Sequence, residues 1–195
     1  MTRMIGAIAV LLMANLASAA FVTLSWGPAV AEIGDGSADV QVTVPLYATG
    51  DSIVDAMSLG LQVQAPLAFV GIDALKPGML LGESNDGGVP YIEAQNMSFD
   101  AFNPSTTVDN PPLTDSPMLV ANFLVNVPAG TSVGDYRIST VAYAWGDYAS
   151  GMAAPGGALL TVNQAENGVI SVIVPEPATA LLGLLGLPLL RRRRG

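Results

Sequence analysis

The sequence predicts an all-β protein: an antiparallel, jelly-roll-type sandwich of about eight or nine strands, flanked by an N-terminal signal helix and a C-terminal apolar helix. Three observations point there. Apolar residues recur with period two across the middle of the chain, as on strands that bury one face. Clusters of Gly, Pro, Asn and Asp interrupt these runs at short intervals. Between Phe21 and Val174 no stretch has the 3.6-residue periodicity of an amphipathic helix.

The chain opens with Met1-Thr2-Arg3, continues through an apolar run to Leu16, and reaches Ala17-Ser18-Ala19. A positive start, a short apolar segment and an A-x-A site make a secretory signal peptide, read by signal peptidase at Ala17 and Ala19 and cut after Ala19. The competing reading is an uncleaved anchor helix, but the run falls short of the ~20 residues a membrane span needs. The domain boundaries that follow are 1–19 for the signal, 20–173 for the sandwich and 174–195 for the tail.

Within the sandwich the firmest strands are the first two long alternations. Val40, Val42, Val44 and Leu46 face one way against Gln41, Thr43, Pro45 and Tyr47. Met57, Leu59, Leu61 and Val63 do the same against Ser58, Gly60, Gln62 and Gln64. Leu119, Ala121, Phe123, Val125 and Val127 form a third; its other face also carries Val120 and Leu124, which marks a central strand or one covered on both sides. The same pattern predicts strands over residues 21–26, 68–72, 91–95, 135–144, 158–162 and 169–174. Turns are expected at Gly34-Asp35-Gly36, Asn85-Asp86-Gly87-Gly88, Pro128-Ala129-Gly130 and Asn167-Gly168. Residues 102–117 hold too many prolines for a ladder and residues 145–157 are rich in Gly and Ala, so both are expected to be long loops, where binding usually resides.

Composition excludes whole classes of function. The chain has no Cys and no His, which rules out disulfides, thiol nucleophiles, zinc–thiolate sites and any dyad built on imidazole. Residues 20–177 carry all sixteen acidic side chains and only Lys76 and Arg137 as cations, so the domain repels nucleic acid and anionic lipid surfaces. A Ser nucleophile lacks both a His base and a G-x-S-x-G elbow, and no spacing selects a pair of carboxylates for glycoside hydrolysis. A non-catalytic protein is the expectation.

The tail carries the most specific signal. Pro175-Glu176-Pro177 precedes an apolar stretch from Ala178 to Leu190 and a cluster of Arg191, Arg192, Arg193 and Arg194. As a helix the apolar stretch would reach about 20 Å at ~1.5 Å per residue, less than the ~30 Å of a hydrocarbon core. The arginines hold their end on the cytoplasmic side, and Pro175 and Pro177 keep the preceding backbone extended for a processing enzyme. This order of elements resembles the PEP-CTERM sorting signal of Gram-negative bacteria. The resemblance implies transient membrane insertion, cleavage near Pro177 by an exosortase-type transpeptidase of the inner membrane, and delivery to the cell envelope or beyond. An ordinary C-terminal membrane tether is the alternative.

A second resemblance covers most of the mature chain. The strands at residues 40–46 and 57–63, the Lys76-Pro77-Gly78 turn, residues 119–125, the Pro128-Ala129-Gly130 turn running into Asp135-Tyr136, and a closing segment at residues 167–172 resemble cohesin-like or carbohydrate-binding-module-like sandwiches. This implies a module that binds protein or polysaccharide, sometimes with structural calcium.

Three groups are candidates for binding. Tyr143, Trp145 and Tyr148 cluster in the second long loop, and Tyr143 and Trp145 would share a strand face as a strip for a sugar ring, although core packing is the commoner use of such residues. Glu83, Asn85 and Asp86 could offer loop oxygens to calcium, with Asp109, Asn110 and Asp115 next; neither group matches an EF-hand, and solvated turns whose Asp and Asn bond their own backbone are the favoured reading. No other cofactor is implied. The function expected from the sequence is an exported structural or adhesive protein of an exopolysaccharide layer, with a carbohydrate- or protein-binding module as the alternative.

Overall fold

The computed structural model describes residues 20–82, 90–104, 110–141, 151–163 and 167–175. Among these residues thirteen strands run in chain order: Phe21–Trp26 (β1), Ala29–Glu32 (β2), Val40–Gly50 (β3), Ala56–Val63 (β4), Ala68–Leu75 (β5), Leu80–Leu81 (β6), Tyr91–Glu93 (β7), Asn96–Phe102 (β8), Met118–Val127 (β9), Gly134–Val141 (β10), Gly151–Ala153 (β11), Thr161–Asn163 (β12) and Gly168–Ile173 (β13). They form two sheets. One has the order β12-β1-β3-β9-β5; the other has β2-β13-β10-β4-β8-β6, with β11 also on β4 and β7 also on β8. No element among the described residues is helical, and the leader and most of the tail lie outside them.

The alternating residues meet between the sheets. Val42, Val44 and Leu46 of β3 and Phe123, Val125 and Val127 of β9 come from one sheet; Leu59, Leu61 and Val63 of β4, Met97 and Phe99 of β8, and Ile138 and Ile170 come from the other. At the centre the Phe123 ring lies 5.7 Å from Phe99, 6.0 Å from Trp26 and 6.4 Å from Phe69, all tilted or edge-on. These are the geometries that ring quadrupoles favour. Strand β9 does sit centrally, between β3 and β5. Its apolar Val120 is buried because a bulge leaves it without a partner between Leu119 and Ala121, which oppose Tyr47 and Leu46, so Val120 and Ala121 both turn inward.

Most pairings are antiparallel, but both sheets have a parallel edge. Strand β2 lies parallel to β13, and β12 parallel to β1. The switch of β2 into the second sheet is local to Gly27-Pro28. Pro28 has no N–H for a ladder, and Gly27 donates to the Pro45 carbonyl at 2.8 Å. A Cβ on Gly27 would stand 2.6 Å from Pro45 Cγ and 2.7 Å from Tyr47 Cε2, so glycine permits the close approach. One extended segment thus serves the first sheet as β1 and the second as β2, lacing the two together.

Several expectations need correction. Residues 91–95 are not one strand: β7 and β8 form a hairpin turning at Ala94-Gln95, with Ala94 at φ 49° and Glu93 opposite Asn96. Strand β8 itself follows the period-two rule, with Met97, Phe99 and Ala101 inside. The expected loop at residues 145–157 contains β11, which pairs with Ala56–Ser58 of β4 beside the place where β10 leaves it. Asn167-Gly168 leads straight into β13 instead of forming an isolated turn. The Lys76-Pro77-Gly78 turn stands as expected, with Met79 N–H on the Lys76 carbonyl at 3.0 Å and Gly78 at φ 82°.

Candidate functional site

Many of the residues singled out from the sequence lie outside the described residues: Ala17 and Ala19, Glu83, Asn85 and Asp86, Asp109, Tyr143, Trp145 and Tyr148, Glu176 and Pro177, and Arg191 to Arg194. Their flanks are visible. Strand β10 ends with Val141 opposite Gly60, and β11 begins with Gly151 opposite Ser58, so the segment carrying the three aromatics is anchored at both ends on β4. Val174 and Pro175 are exposed where β13 ends. Asp115 is exposed, whereas Asn110 is half-buried with its Oδ1 accepting from Lys76 Nζ. Among the described residues, no three acidic side chains come together as a metal cluster.

What the fold brings together is the outer face of the eight-stranded sheet. Side chains alternate, so the inward set of β10, β4 and β8 leaves Arg137 and Ser139, Gln62, and Asn96 pointing out across adjacent strands. With Gln64, Ala65 and Gln95 they line a shallow groove of about 460 Å³. Backbone and amide bonds shape it. Gln64 N–H donates to the Arg137 carbonyl at 2.8 Å, and Arg137 N–H donates to Gln64 Oε1 at 3.1 Å. Gln62 Nε2 donates to Asn96 Oδ1 at 3.3 Å, and Gln95 Nε2 donates to the Leu67 carbonyl at 3.2 Å.

Arg137 is the electrostatic centre of this face. Lys76 is 1% exposed, so of the domain's two cations only Arg137 meets solvent, and among the described residues its guanidinium has no carboxylate partner. A guanidinium presents a planar fork of donors that suits a carboxylate arriving from outside. Apolar side chains flank the polar strip on the same sheet: Val30, Val169 and Ile173 toward one edge, and the directly opposed pair Leu80 and Phe102 toward the other, all exposed. Apolar patches around fixed polar donors are what a protein-binding face offers.

A second concavity, about 510 Å³, opens where β1 bends away at Trp26-Gly27-Pro28 beside Gly168 and Val169. The Trp26 indole N–H is buried there and has no acceptor among the described residues. Gly168 makes the packing feasible, since a Cβ would come within 2.5 Å of the indole.

Two carboxylates on the surface are held below their ordinary range. Ser37 hydroxyl and amide donors do this for Asp35; the Ala129 N–H at 2.8 Å and then the Asn126 amide at 3.2 Å do it for Asp39. Both pin turns, and neither lines the groove.

No protein-family model and no curated protein sequence matches the chain. Solved structures do. The seventh ScaB type I cohesin from Pseudobacteroides cellulosolvens has 16% identity and a TM-score of 0.51, covering 80% of this chain and 95% of its own. A non-cellulosomal cohesin from the hyperthermophilic archaeon Archaeoglobus fulgidus has 15% identity and a TM-score of 0.52 over 82% and 96%. The third cohesin of ScaC from Acetivibrio cellulolyticus, solved in complex with the ScaB dockerin, has 19% identity and a TM-score of 0.52 over 79% and 100%. These likenesses establish the fold as a cohesin-like β-sandwich.

Proposed function

We propose that this protein is an exported, non-catalytic binding module of the cell envelope or extracellular matrix, and that it holds a partner protein on the outer face of its eight-stranded sheet. The observation that carries this reading is the exposed guanidinium of Arg137, seated among amide side chains and bordered by exposed apolar residues. The cohesin–dockerin complex of a similar fold supports a protein partner over a small molecule. Export rests on the leader and on the Pro175-Glu176-Pro177 tail with its four arginines, the latter a substrate for an exosortase-type transpeptidase. Structural or adhesive work in an exopolysaccharide layer is the setting that such sorting implies, and structural calcium from the loop of Glu83, Asn85 and Asp86 would be compatible with it.

The test is capture from the producer's envelope fraction on the immobilised protein, with Arg137→Glu in parallel. The expected result is a retained protein that Arg137→Glu loses at least tenfold, because the variant sets a carboxylate against the partner's own. Retention of polysaccharide alone, or capture indifferent to Arg137→Glu, would overturn the assignment of this face. Terminal mass spectrometry of the envelope-located protein tests the sorting: an intact Arg191–Arg194 terminus there sinks it.

A further inference from the structure

Lys76 is an unusual residue for the interior of a small sandwich. It follows the last residue of β5 and is 1% exposed; its N–H donates to the Val120 carbonyl at 2.8 Å and its carbonyl accepts from the Met79 N–H at 3.0 Å. Burying an ammonium is costly unless it is paired, and an amine held in place becomes a nucleophile once its proton is removed. The Nζ contacts Asn110 Oδ1, although the two residues are 34 positions apart in the chain, and Lys76 engages a further partner as well. An atom in contact with an amide oxygen stands beside the carbon that bears it.

The rest of the Asn110 side chain is also held. Its Nδ2 donates to the Val54 carbonyl at 3.0 Å and faces Asp55 Oδ1 at 3.5 Å. A buried amine, an immobilised carboxamide and a carboxylate beside the amide nitrogen therefore converge on one point. Each comes from a different part of the fold: the turn after β5, the segment before β9, and the residue preceding β4.

We propose that Lys76 and Asn110 condense into an intramolecular isopeptide bond, with Asp55 carrying the proton. The Lys76 Nζ lone pair attacks Asn110 Cγ, and the new Cγ–Nζ bond forms as the Cγ–Nδ2 bond breaks. The Asp55 carboxylate takes a proton from Nζ and delivers one to Nδ2, which leaves as ammonia. The carboxylate ends as it began, no electrons are gained or lost, and no co-reactant is required. Nucleophile, electrophile and proton carrier are held before reaction, so the step is governed by orientation. The product replaces a buried amine with a neutral amide and ties the end of β5 covalently to the segment that leads into β9. In a chain without cysteine this bond takes the place of a disulfide.

The experiment is mass spectrometry of the purified full chain, intact and after pepsin digestion, for the wild type and for Lys76→Met, Asn110→Ala and Asp55→Ala. The wild type should be lighter by one ammonia than its observed termini require, and should yield a branched peptide joining the segments that carry Lys76 and Asn110. Lys76→Met and Asn110→Ala should have full mass. Asp55→Ala, which retains both reacting side chains, should remain unlinked. A folded wild type of full mass, with Lys76 and Asn110 on separate linear peptides, overturns the proposal without reference to any variant's folding. Linkage in Asp55→Ala to the wild-type extent overturns the role given to Asp55.

Discussion

Phe123 is where the core is most concentrated, and its truncation gives the most quantitative test of the fold. The ring is 0% exposed and touches three other aromatic rings, two from its own sheet and one from the facing sheet. Phe123→Ala removes the transfer free energy of a whole ring and leaves a cavity lined by Trp26, Phe69 and Phe99. Such a change costs about 3–5 kcal/mol, and lost ring–ring geometry places it at the upper end, since each pair contributes ~0.5–1.5 kcal/mol beyond burial. A domain of this kind has about 5–15 kcal/mol in total. With a urea slope of about 2 kcal/mol/M, the midpoint should fall by roughly 2 M at unchanged slope. Trp26 packs on the ring and reports directly through its fluorescence, best followed in a Trp145→Phe background because the chain has two tryptophans. Val133→Ala, at an exposed position, serves as the control and should shift stability by no more than ~0.5 kcal/mol. A loss below about 1 kcal/mol for Phe123→Ala would refute the placement of the aromatic cluster at the centre of the sandwich.

Two further expectations follow from close contacts and from charge. Gly168→Ala places a Cβ 2.5 Å from Trp26 Cγ and 2.8 Å from Ile138 Cγ2, so it should cost about 1–3 kcal/mol by overpacking and change the Trp26 emission of the folded state. Asp39 is held below its ordinary value of 3.8 by the Ala129 N–H and the Asn126 amide. Its contribution is therefore present above pH 3.8 and lost as pH falls through the lower folded value; Asp39→Asn should flatten the pH dependence of the urea midpoint in that acid window.

Much of the fold was legible because a sandwich must bury one face of each long strand, and alternation is the direct consequence. Val40–Gly50, Ala56–Val63 and Met118–Val127 announce themselves in this way. Strand β8 carried the same signal in Met97, Phe99 and Ala101, but the hairpin before it turns at Ala94, a residue type that does not mark a left-handed turn. Strands such as Leu80–Leu81 and Gly151–Ala153 are too short to show a period at all. Their pairing is dictated by the neighbours β8 and β4.

The sequence by itself determined the fold class, the exclusion of Cys- and His-based chemistry and the acidity of the domain, since these depend on composition and local order. The tertiary structure alone decided which sheet each half of the first extended segment joins, because Gly27 and Pro28 act through contacts with Pro45 and Tyr47. It also decided the fates of the two cations. In the chain Lys76 opens a Lys-Pro-Gly turn and Arg137 lies within an expected strand. Packing buries the first beside Asn110 and sets the second on an open face, because distance along the chain places no limit on which side chains a sandwich brings into contact.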